Sequence, residues 1–118
     1  MITKFKIFES VKDIEVGDWV YCHEQYTDNK SIEMFISSHV GECIKVLEKN
    51  NKYLIEYDYY EELKRYDDVK EFLHYSDGYY TYNKATLMMN DEILFSSPNK
   101  VAVEEYMKMY DDITKYNL

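Results

Sequence analysis

The sequence predicts one α+β domain spanning residues 1–118. It reads as a small five-stranded β-barrel over about 3–97, with a short helix in its first long loop, followed by an amphipathic C-terminal helix over about 98–115. Three observations predict this. Short runs alternate apolar and polar residues with the period of a strand. Two such runs, residues 43–47 and 53–58, flank the polar turn Lys49–Lys52, which makes a hairpin. The last twenty residues switch to a helical period.

In chain order, "KFKIF" alternates like an opening strand or extended arm, and "VKDIEVGD" is a turn-bearing lead-in where Gly17 is free to take a positive φ. In "DWVYCHE", Val20 and Cys22 point one way while Trp19, Tyr21 and His23 point the other, a half-buried strand. Ile32, Phe35 and Ile36 recur at helical spacing after Asp28, Asn29 and Ser31, any of which can cap a short helix that ends near Gly41. In the hairpin, Ile44 and Val46 alternate with Cys43, Lys45 and Leu47, then Tyr53, Ile55 and Tyr57 with Leu54, Glu56 and Asp58.

The following stretch is open to two readings: Leu63, Tyr66, Val69 and Leu73 suit a short helix or an irregular excursion. Asp77-Gly78 marks a turn. "YYTYNKATLMM" reads as one strand entered through aromatics, "NDE" as a turn and "ILFSS" as the last strand. Ser97 as N-cap and Pro98 as first residue open the final helix. Its apolar stripe is Val103, Tyr106, Met107, Tyr110 and Ile113, with Glu104, Glu105, Lys108, Asp111 and Asp112 opposite.

Composition narrows the function classes. Fourteen Lys and Arg against 23 Asp and Glu leave a net charge of −9, and "LKRYDDVK" interleaves its bases with acids. Binding to a phosphate backbone draws on concentrated positive charge, so direct nucleic-acid binding is not expected. A basic partner suits the acidity, as does a simple solubility role. "MITKFKIFES" lacks the apolar core of a leader, and no stretch approaches the ~18 apolar residues of a membrane span. With only Cys22 and Cys43, no disulfide framework is expected and a reducing cytoplasm is the default. Fourteen of the aromatics are Tyr. That enrichment fits an interaction surface, and equally the codon bias of an AT-rich genome.

The order "VGDWVYC", long loop, "GECIKVLEKNNKYLIEYD" and late strands ending "NDEILFSS" resembles a small SH3-like barrel, the layout shared by the Tudor and KOW groups. "VGDWV" and the hairpin pattern carry the likeness over about residues 14–58, with "LMMNDEILFSS" a weaker match. The whole is similar to small proteins of bacteriophages and large DNA viruses that follow such a barrel with a closing "S-x-N-K" helix, here within "SSPNK". The Tudor likeness implies an aromatic cage for a methylated cation. Its candidates by position are Trp19, Tyr21, Tyr53, Tyr57 and Tyr59, although Tyr53 and Tyr57 share the face of Ile55 and so read as core. RNA-binding KOW domains tend to be basic, and this chain is not.

Catalytic signatures are missing: there is no phosphate loop, GxSxG, HExxH or CxxC. His39 and Cys43 have a possible zinc-ligand spacing, and Cys22, His23 and His74 complete the candidate donors. Buried thiols and surface histidines explain the same letters. No metal or cofactor is expected, and no enzyme.

The expected function is a non-enzymatic protein-binding module of phage or viral type, an accessory or counter-defence factor occluding a host protein. The candidate contact residues are Glu104, Glu105, Asp111, Asp112, Trp19, Tyr21, Tyr59 and Tyr60. Carboxylates spaced along one surface can imitate DNA phosphates and fill a basic groove of a nuclease or defence protein. They also read as a solvated face. The alternative is a Tudor- or KOW-like reader of a peptide or nucleic acid through exposed aromatics; a small-molecule-sequestering protein or an enzyme comes third. Partner identity and oligomeric state stay open.

Overall fold

The computed structural model describes residues 14–47, 51–58 and 67–116. Five strands form one antiparallel sheet: β1 (Trp19–Cys22), β2 (Val40–Leu47), β3 (Lys52–Glu56), β6 (Ala85–Met89) and β7 (Ile93–Ser97). Their order is β6-β3-β2-β1-β7, so among the described strands the sheet is open, with β6 and β7 at its edges. A separate two-stranded hairpin is made by β4 (Tyr75–Ser76) and β5 (Thr81–Tyr82). Among the described residues there are three α-helices: α1 (Lys30–Ser37), α2 (Asp67–Phe72) and α3 (Lys100–Tyr116). The expected opening strand at "KFKIF" and the turn at Lys49 and Asn50 lie outside the described residues.

One sheet face makes the main core. Val20, Cys22, Cys43, Tyr53, Ile55, Tyr57, Met88 and Ile93 meet Ile32, Phe35 and Ile36 of α1 and Val69 of α2, with Leu73 just beyond it. A large apolar side chain gains about 1.5–3 kcal/mol when fully buried, so this cluster supplies much of the driving force for folding. Asn29 starts α1 by accepting the Ile32 amide at 3.1 Å, and its own amide donates to Asp68 Oδ2 at 2.7 Å, tying α1 to α2. Gly41, opposite Val20, leaves the space that Ile55 and Tyr57 fill: a Cβ there would lie 3.0 Å from the Tyr57 ring. A bulge between Cys43 and Lys45 then reverses the alternation of β2.

The second face is covered by α3, which packs on β1, β2 and β7. Tyr21 here meets Tyr110 edge-on at 5.8 Å and Tyr106 at 6.2 Å, while Phe95 stacks on Tyr106 at 4.5 Å. Val103 of α3 is fully buried, whereas Ile113, expected in the same apolar stripe, is 44% exposed.

Three boundaries differ from expectation. The α1 helix stops at Ser37, and Gly41, expected near its end, lies inside β2. Ser97 ends β7 instead of capping α3; its hydroxyl accepts the Asn99 amide at 3.0 Å, and Asn99 Oδ1 in turn accepts the Val101 amide at 3.0 Å. The helix therefore starts two residues after Pro98. The single strand expected over "YYTYNKATLMM" is two, β5 and β6, parted at Asn83-Lys84, and Tyr79 and Tyr80 precede both.

Candidate interaction surface

The β4–β5 hairpin is built around one aspartate. Asp77 Oδ1 accepts the amides of Tyr80 at 2.8 Å and Tyr79 at 3.0 Å, and its own amide donates to the Tyr80 carbonyl at 3.2 Å. Those two amides, with Lys45 Nζ 3.7 Å from its other oxygen, hold the Asp77 carboxyl below its ordinary range. Gly78 takes a φ of 94°, a conformation that strains any residue with a Cβ. Below the turn, Tyr75 and Tyr82 pair across the hairpin with stacked rings 6.3 Å apart.

The result is an ordered tip carrying two aromatic side chains into solvent. Tyr79 is 91% exposed and Tyr80 63%. Tyrosine offers large, amphipathic contact area with only two side-chain torsions to immobilise, and a preset backbone lowers the entropy cost of binding further. Neither residue stands out in the sequence, although the Asp77-Gly78 turn does: aromatics are strand formers, and only the turn geometry sends both outward.

The residues expected from sequence meet different fates. Glu105, Asp111 and Asp112 are exposed and Glu104 half-buried on the outer side of α3, with the exposed Lys108 among them. Trp19 is half-buried, and the Lys100 ammonium sits 4.7 Å from its ring centroid, so an internal cation already occupies that face. Tyr21 is a correction. It is buried under α3 with its hydroxyl donating to the Ser37 carbonyl at 3.0 Å, and cannot present its ring to a partner. Tyr59 and Tyr60 lie outside the described residues.

The chemistry-bearing side chains are equally informative. Cys22 and Cys43 are free and buried, and burial pushes their thiols up to about 12 and about 11, far from reactive thiolates. His39 stacks on Phe35 at 4.1 Å, with Nδ1 2.9 Å from the Phe35 carbonyl. His23 meets Tyr110 instead, on the other side of β1 from Cys22. Among the described residues, no three His, Cys, Asp or Glu side chains group as metal ligands. An open depression of about 310 Å³ is lined by Asn51, Met89, Asn90 and Asp91. No described helix is long and apolar enough to cross a membrane.

Fold and surface together define a mixed α+β protein whose five-stranded antiparallel sheet carries helices on both faces and a tyrosine-tipped hairpin. The chain matches no protein-family model, no curated protein and no solved structure.

Proposed function

We propose that this protein is a non-enzymatic protein-binding module that grips its partner through the Tyr79–Tyr80 tip, with the acidic outer side of α3 as a second contact. The observation that carries this reading is the 91% exposure of Tyr79 on a turn held by Asp77. A large aromatic fully in water on an ordered backbone costs little to dock and gains much by burial. Glu105, Asp111 and Asp112 add a negative field that favours a partner with a basic surface. In this proposal the protein is of phage or viral type and acts in the host cytoplasm as an accessory or counter-defence factor, occluding a host protein.

The finer architecture belongs to the same proposal. The first strand between the last and the second, and a 3-10 turn (Asn90–Glu92) linking the last two sheet strands, support an SH3-like arrangement. The reader alternative has less support. Of its cage candidates, Tyr53, Tyr57 and Tyr21 are buried and Trp19 already lies under Lys100.

The test is a pull-down from nuclease-treated bacterial lysate, run in parallel with wild type, Tyr79→Ala/Tyr80→Ala and Glu105→Lys/Asp112→Lys. The proposal expects one stoichiometric protein retained by wild type, lost with the tyrosine variant and weakened with the charge variant. A partner retained equally by all three would overturn the assigned surface. A copurifying nucleic acid or small ligand instead of a protein would overturn the function.

A further inference from the structure

Two glutamates far apart in sequence meet in the interior. Glu24, just after β1, is 8% exposed, and Glu92, ending the turn before β7, is 2% exposed. The amides of two successive residues hold them: Gln25 N donates to Glu92 Oε2 at 3.1 Å and Tyr26 N to Glu24 Oε2 at 3.0 Å. Glu92 Oε1 also accepts the Met89 amide at 2.8 Å, so both of its oxygens are engaged as acceptors, an arrangement suited to a carboxylate. Two like charges cannot both persist in such a place, because each also lacks the water that would screen it.

The segment carrying Glu24 is a strap laid over the 90–92 turn. His23 N donates to the Glu92 carbonyl at 2.8 Å, Gln25 Nε2 to the Asp91 carbonyl at 3.0 Å, and the Tyr26 hydroxyl to Asp91 Oδ2 at 2.7 Å. Every one of these bonds spans the sequence from the end of β1 to the turn, and beyond the strap the chain enters α1, which covers the core.

We propose that Glu24 and Glu92 share a single proton in the folded protein, and that losing it unlatches the 23–26 strap from the 90–92 turn. Glu24 donates this proton to Glu92 and keeps its other oxygen for the Tyr26 amide. The groups around Glu24 on each side reinforce the pairing: Glu92 from the turn, Glu33 from α1, Cys22 from β1 and Tyr57 after β3 are acidic or neutral. Asp91 faces the strap by accepting the Tyr26 hydroxyl. His23 is exposed and faces Tyr110 on the other side.

The direction with pH follows. Burial, then the hydrogen bond and charge of Glu92, push the Glu24 carboxyl up from 4.5 to about 7. An acid raised in the fold stabilises it while protonated. That contribution is complete below about 4.5 and is lost as pH climbs through about 7. Between those two values opening of the strap grows by up to about tenfold per pH unit, since opening releases one proton, and it levels off above about 7.

The experiment compares wild type and Glu24→Gln from pH 5 to 8 by thermal unfolding and by amide exchange corrected for its intrinsic rate. Gln at position 24 mimics the protonated acid, donating to Glu92 and accepting from Tyr26. The wild-type midpoint should fall with pH, and protection of the Gln25 and Tyr26 amides with it, while both stay level in the variant. Identical pH profiles for the two proteins would overturn the latch. Carboxyl-carbon NMR of wild type supplies the check if the variant fails to fold: one step near pH 7 seen at both glutamates supports the shared proton, and a Glu24 step in the ordinary carboxylate range excludes it.

Discussion

The same residue type does opposite work in two parts of this molecule. On the sheet, Tyr53 and Tyr57 are fully buried in the main core, and Tyr21 is equally hidden on the other face under α3. On the β4–β5 hairpin, Tyr79 and Tyr80 stand in solvent. The difference is made by backbone setting. A strand sends alternate side chains to defined faces, and whichever face a helix covers becomes interior. A tight turn has no inner face, so its side chains splay outward however apolar they are. Tyrosine tolerates both fates because its ring can pack and its hydroxyl can reach water or a carbonyl.

Breaking the buried set should have the largest effects. Tyr53→Ala removes a ring from the centre of the core and should cost about 3–5 kcal/mol, the range for aromatic truncation, read as a large fall in urea midpoint. Gly41→Ala places a methyl against Ile55 and the Tyr57 ring and should cost about 1–3 kcal/mol by overpacking. A midpoint unchanged in Gly41→Ala would show that the close approach of β2 to Tyr57 is not as described.

Smaller changes sharpen the comparison at the level of single hydroxyls. The Tyr21 hydroxyl donates to the Ser37 carbonyl, so Tyr21→Phe should cost about 0.5–1.5 kcal/mol. Among the described residues, the Tyr57 hydroxyl is buried with only the Cys22 thiol, a weak hydrogen-bonding group, beside it, and burial holds its ionisation well above the ordinary range. Tyr57→Phe should therefore cost less than Tyr21→Phe, or stabilise. Equal losses for the two would contradict the assigned partners. At the hairpin, Tyr79→Ala and Tyr80→Ala should change stability by no more than about 0.5 kcal/mol, since neither ring is buried.

How far the sequence alone discloses this division depends on what each residue's fate rests upon. Tyr53, Ile55 and Tyr57 are legible because strand parity is local, and all three are buried together as their alternation implies. The α1 helix is legible for the same reason: its stripe Ile32, Phe35 and Ile36 and its cap Asn29 lie within eight residues. Tyr21 is not. It sits on the face that alternates with the core, and its burial is decided by α3, some eighty residues away. The α3 start slipped because Ser97, Pro98 and Asn99 all carry start signals, and Ser97 is already committed to pairing with Trp19 in β1. Of the barrel expectation, the structure shows five antiparallel strands in one open sheet; closure depends on the curvature of the sheet, which no short motif encodes. Nothing local joins Glu24 to Glu92 either.

The most direct test of the split between structural and displayed tyrosines is mild nitration of the folded chain, with modified positions located by peptide mass spectrometry. The account predicts that Tyr79 and Tyr80 are modified in the folded chain, while Tyr21, Tyr53 and Tyr57 stay unmodified until denaturant is added. Modification of Tyr53 or Tyr57 at the rate of Tyr79 in the folded protein would contradict it.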